Sequence, residues 1–297
     1  MDSRAAERSS KREPIETSVA RGPTRRDGGG AVTSQHHGFE PRRPCRIELK
    51  DVSVRYGTKR AIRDVSFVAP AGRITAVIGP SGSGRSTLLS ATNRLTDAVG
   101  RCRTGGAVLI DDVDVLQTEV DLGRLRGRIG LVVRRPAPVG VTVRRYLELA
   151  LREHDVVEAE AVRRRIADAL RLTDLSVELR DRLDRPVSEL SPAALLLLAL
   201  SRALVAEPAA LLIDEPTLGI DRAGTERIER VLTALAGSMT IILAPHDPAQ
   251  AKRIADRVVL LWPVDGVGCV MDEADTHEFF AKSRQAETAA FVSGGAG

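Results

Sequence analysis

The chain has 297 residues, 43% of them hydrophobic, and a formal net charge of +4. That is enough apolar content to bury one large core or two lobes, and too mild a charge to imply nucleic acid by itself. Three isolated cysteines, Cys45, Cys102 and Cys269, form no C-x-x-C pair, which argues against a disulfide framework or zinc site and for a reducing compartment.

Arginine supplies nearly all the positive charge, with lysine only at positions 11, 50, 59, 252 and 282. The N-terminus lacks an apolar signal-peptide core, and the longest apolar run, residues 193–200, is too short to span a bilayer. Residues 1–44 mix Arg, Ser, Gly, Pro and His without periodicity and read as a solvated, disordered tail. Asp2, Glu7, Glu13 and Glu16 interrupt its basic residues, which weakens the case for a nucleic-acid-binding arm. His36-His37 reads as a polar tail feature rather than a metal site.

Ordered structure is predicted from Cys45, giving a domain over 45–297. Ile47, Leu49, Val52 and Val54 make a strand with an irregularity at Asp51. Tyr56-Gly57 turns the chain, and Val65, Phe67 and Val68 make a second strand. Tyr56 is either a plain turn aromatic or a platform for a nucleotide base.

The next stretch is a β-branched strand over 74–78, then Gly79, Pro80, Ser81, Gly82, Ser83, Gly84, Arg85, Ser86 and Thr87 opening a helix. That is the spacing G-x-x-x-x-G-[basic]-S-T in the strand–loop–helix setting of a phosphate-binding P-loop. Glycines let backbone N–H groups curl around phosphate oxygens, and the helix N-terminus adds unpaired donors. The motif expects Lys where this chain has Arg85.

Further strands follow at 107–110 and 129–133, with a short helix at 122–125. From Val141 to Leu190, Tyr146, Leu147, Ala150, Leu151, Val162, Ile166 and Leu170 recur at helical spacing. These amphipathic helices form a lobe, about 137–195, inserted into the domain. Ser191 and Pro192 suit the N-cap and first position of a mostly buried helix running to Leu204. Strands at 209–213 and 240–244 end in Asp214-Glu215 and Pro245-His246. The alternation, with the P-loop, predicts an α/β P-loop NTPase fold with a mainly parallel sheet and functional groups at strand C-terminal ends. ATP hydrolysis needs a cradle, metal ligands and a base. The cradle would be the P-loop, Ser86 and Asp214 the Mg²⁺ ligands, Glu215 the general base, and His246 a γ-phosphate contact.

From Arg46 onward the chain resembles the ATP-binding cassette (ABC) ATPases. Residues 211–217, LLIDEPT, look like the Walker B segment, with Asp221 at the D-loop, His246 at the switch histidine and Tyr56 at the adenine-stacking aromatic. Asn93-Arg94-Leu95, residues 126–132 with 135–138, Glu278-Phe279-Phe280 and residues 291–294 are similar to the phosphate-importing branch, and the resemblance implies an antiparallel β subdomain. It also implies ATP and Mg²⁺ as cofactors, transmembrane permease subunits as partners, pairing as a homodimer or heterodimer, and indirect service to a substrate-binding protein. The place of work would be the cytoplasmic face of the membrane, peripherally, with nucleic acid no partner.

Three departures bear on activity. Arg85 replaces the P-loop lysine, and a planar guanidinium does not reproduce a compact ammonium. Arg134 takes the Q-loop glutamine position, where a cation repels Mg²⁺. Leu190-Ser191-Pro192-Ala193-Ala194 stands where the family has Leu-Ser-Gly-Gly-Gln: Ser191 keeps its hydroxyl, but Pro192 has no N–H to offer a nucleotide held by a facing subunit. The expectation is an importer ATPase slower than an intact cassette; the alternative is a degenerate cassette acting as a regulatory or asymmetric partner.

Overall fold

The computed structural model describes residues 43–117, 119–133, 140–282 and 286–293. Nearly all of the predicted tail, and Arg134 with the 135–138 segment, lie outside the described residues.

The chain opens with an antiparallel hairpin, β1 (Ile47–Tyr56) and β2 (Lys59–Ala69). The irregularity expected at Asp51 is there: register shifts between Leu49 and Val52, and Asp51 has φ 51°. Its N–H donates to Ser66 Oγ at 2.8 Å, which replaces a lost ladder bond. The second strand starts earlier than Val65 because Tyr56 and Lys59 pair directly across Gly57-Thr58. β3 (Ile74–Ile78) leads into α1 (Arg85–Thr92), followed by β4 (Cys102–Ile110), β5 (Val113–Asp114), α2 (Leu122–Arg128) and β6 (Ile129–Val132). Helices α3 (Val143–Glu153), α4 (Ala159–Leu172) and α5 (Pro192–Leu204) come next, then β7 (Ala210–Asp214), α6 (Arg222–Leu235), β8 (Thr240–Ala244) and α7 (Pro248–Ile254). A second hairpin, β9 (Arg257–Val264) and β10 (Val267–Asp275), precedes α8 (Thr276–Ala281) and α9 (Ala286–Val292).

All ten strands of the described residues join one sheet in the order β5-β4-β1-β2-β10-β9-β3-β8-β7-β6. From β9 to β6 neighbours are parallel, and β5-β4-β1-β2 is antiparallel, the subdomain expected from the resemblance. Parallel strands must be covered on both faces, and side-chain alternation shows how. Leu211, Ile213, Ile241 and Leu243 face the cluster built by α3, α4, α5 and α6. Leu212, Ile242 and Ala244 face the opposite cluster, with Leu88 and Leu89 of α1 and the β1–β2 hairpin. The helices expected between Val141 and Leu190 are present, and they share their apolar core with one face of the sheet.

Start signals read from sequence hold locally. Ser191 Oγ accepts from Ala194 N at 3.2 Å and caps α5, with Pro192 in its first turn.

Candidate nucleotide site

β3 is buried along its whole length and delivers the chain to the Gly79–Gly84 turn at the C-terminal end of the parallel strands. Ser83 N donates to Pro80 O at 3.1 Å and closes that turn. No side chain caps α1, whose N-cap is the left-handed Gly84, so its first-turn N–H groups remain available to an anion. The β9–β10 hairpin presses on this turn from outside. A Cβ at Gly79 would lie 2.0 Å from Leu261 O, and one at Gly268 would lie 1.9 Å from Ser83 O. Only glycine fits at either place, and the close approach fixes the cradle's shape.

β7 and β8 bring the remaining groups to the same end of the sheet. Asp214 closes β7 opposite Ala244. Glu215 follows with φ 47° and donates its N–H to Ala244 O at 2.9 Å. A left-handed glutamate is strained by about 1–3 kcal/mol, and its carboxylate faces Arg85 at the start of α1. Arg85 crosses to meet it. The guanidinium donates to Pro245 O at 2.8 Å and stands 3.5 Å from Glu215 Oε1. Burial pushes its pKa down, while Glu215 and Asp214 pull it back up. The expected phosphate-facing cation is therefore turned toward the two strand ends that carry Glu215 and His246.

A cavity of about 320 Å³ gathers Tyr56, Ser81, Gly82, Gly84, Arg85, Ser86, Thr87 and Glu215. Gly79, Pro80 and Ser83 complete the turn behind it. His246 is exposed, one residue past the carbonyl that Arg85 engages, and is not among the cavity's lining residues. Ser191 and Asp221 lie in a different cavity, of about 450 Å³, with Pro192, Ala193 and Gly219. There Asp221 caps α6 by accepting from Gly224 N at 2.8 Å. Of the sequence-derived site residues, Tyr56, Glu215 and the P-loop residues gather at the first cavity and Ser191 and Asp221 at the second, while Asp214 and His246 line neither.

Sequence reading missed the hairpin that closes the first cavity. Gly266, Lys59 and Ala61 also line it. The signal was present: Asp265-Gly266, at φ 52° and 75°, is a two-residue turn joining β9 to β10.

Residues 62–218, more than half of the chain, match the ABC transporter family. The chain belongs to that family. Membership in the ABC family makes it an ATP-binding cassette. The phosphate import ATP-binding protein PstB 1 of Nitrosococcus oceani is 37% identical over 251 residues, covering 84% of this chain and 91% of that protein. PstB 2 of Listeria monocytogenes serotype 4b, also titled a phosphate import ATP-binding protein, is 32% identical over 254 residues, 86% and 92% of the two chains. Among solved structures, cbiO1 of Clostridium perfringens, part of an ABC transporter complex, superposes with a TM-score of 0.67 at 25% identity, covering 80% of this chain and 90% of that one. A bacterial Atm1-family ABC exporter shares the fold alone, with a TM-score of 0.69 at 21% identity over 85% of this chain and 42% of its own.

Proposed function

We propose that this cassette is the ATP-hydrolysing subunit of a phosphate importer, acting as a pair of cassettes on the cytoplasmic face of a membrane beneath permease subunits. One observation carries the reading: Tyr56, the P-loop turn with Ser86, and Glu215 line a single cavity in a chain whose relatives are titled phosphate import ATP-binding proteins. Those relatives favour it over the degenerate, regulatory cassette that Arg85, Arg134 and Pro192 suggested.

The roles follow from position. Tyr56 offers its ring to adenine, and the uncapped α1 N-terminus offers N–H donors to phosphate. The Ser86 hydroxyl and the Asp214 carboxylate are hard oxygen donors, the kind Mg²⁺ takes. Mg²⁺ usually keeps several waters and takes one or two protein carboxylates together with substrate phosphates. Mg²⁺, when bound, supplies charge stabilisation at the phosphates. Glu215 accepts the proton of the attacking water. Ser191 and Asp221, in the second cavity, serve the nucleotide of the facing cassette. His246 is the residue for the terminal phosphate, one position past the Pro245 carbonyl that Arg85 engages. The cassette is residues 45–297, with its helical lobe at about 137–195.

Among the described residues no helix is long and apolar enough to cross a membrane. The permease of this reading is a separate partner. A groove of about 620 Å³ between the end of β6 and helices α3 and α5, lined by Val132, Val133, Tyr146, Ala199 and Arg202, is the docking place. Removing the chain from its host should lower uptake of radiolabelled phosphate, and restoring it should recover the rate. Unchanged uptake contradicts the assigned cargo.

A further inference from the structure

The cavity holds a cation that neither the motif nor the roles above use. Lys59 opens β2 directly opposite Tyr56, so both side chains leave the same face of the hairpin. Ala61, two residues on, faces the same way, and all three line the cavity. β2 meets the P-loop at Ala61, where a Cβ on Gly84 would lie 3.2 Å from Ala61 O. Two strand residues advance by about 6.8 Å, a gap that a lysine's four-carbon stem and ammonium can cross.

The charges along the wall decide what this lysine is for. Arg85, 8% exposed, is already answered by Glu215 at 3.5 Å and by the carbonyl of Pro245. Lys59 is exposed, and among the described residues it has no ion pair or hydrogen-bond partner. Most exposed lysines on hairpins are simply solvated. This one stands across from the base platform, beside a phosphate cradle whose own cation is committed elsewhere. We propose that Lys59 pairs with the phosphates of the bound nucleotide, supplying the positive charge that Arg85 gives to Glu215. The proposal rests on the nucleotide reading of this cavity.

The test is calorimetric affinity for ATP, ADP and AMP in wild type, Lys59→Gln and Lys59→Arg, at low and high salt. Lys59→Gln should weaken ATP binding about tenfold, the loss of one charge-assisted contact. The loss should shrink from ATP to AMP and at high salt, and Lys59→Arg should restore most of it. ATP affinity unchanged in Lys59→Gln at low salt overturns the proposal. So does an equal loss for all three nucleotides at either salt, which would mark a packing role beside Tyr56. A wild type that takes up none of the three overturns the nucleotide reading, and the role of Lys59 with it.

Discussion

Gly268→Ala should weaken ATP binding by about a hundredfold or more, the scale of loss that follows when positioning groups shift by roughly an ångström. The added Cβ would sit 1.9 Å from Ser83 O and 3.0 Å from Ser83 C, both backbone atoms. Neither neighbour can rotate away, so the hairpin or the P-loop must move. The hairpin is held from its other strand, where β9 pairs with β3 from Arg257 to Leu260 and Leu261 O abuts Gly79. The strain therefore falls on the cradle. Gly105→Ala is the control, since nothing lies within 4 Å of its Cβ position, and it should bind ATP as wild type does. Nucleotide titration with a melting curve for each variant separates lost binding from lost folding. Wild-type affinity in Gly268→Ala would show that the hairpin does not shape the site.

Glu215→Gln should lower ATP turnover by about a hundred- to ten-thousandfold, the range of a general base, while ATP binding is kept or strengthened. An amide cannot take the proton of the attacking water, which sets the first effect. The second comes from Arg85. Its 3.5 Å contact with Glu215 competes with any turn of the guanidinium toward phosphate, and a neutral partner releases it. Arg85 still has Pro245 O to hold it in the free protein, so the site need not collapse. Turnover equal to wild type would remove Glu215 from the chemistry. Weaker ATP binding would show that the ion pair assembles the site rather than restraining it.

What was legible in the sequence was local. The P-loop is a strand, a glycine turn and a helix start within a few residues of one another. The Asp51 irregularity and the Ser191-Pro192 helix start are likewise set by neighbours in the chain. Contacts across large separations carried no such mark. Arg85 reaches a carbonyl 160 residues away, and a P-loop motif alone points its basic residue at phosphate. The β9–β10 hairpin reads as an apolar run with an Asp-Gly turn, and nothing in that run says it will close over Gly79 and Ser83. Lys59 went unnoticed for a related reason. Its meaning depends on pairing with Tyr56 and on the direction Arg85 takes, neither of which is local. The division of Ser191 and Asp221 from Tyr56 and Glu215 into separate cavities also needed the fold.

The central claim is that a triphosphate occupies the cavity between the Tyr56–Lys59 hairpin and the α1 N-terminus. Titrating the purified full-length chain with ATP, with and without Mg²⁺, tests it most directly. Saturable heat of one-to-one uptake, weakened about a hundredfold or more by Gly268→Ala, is the predicted result. No heat of binding in either condition would contradict it.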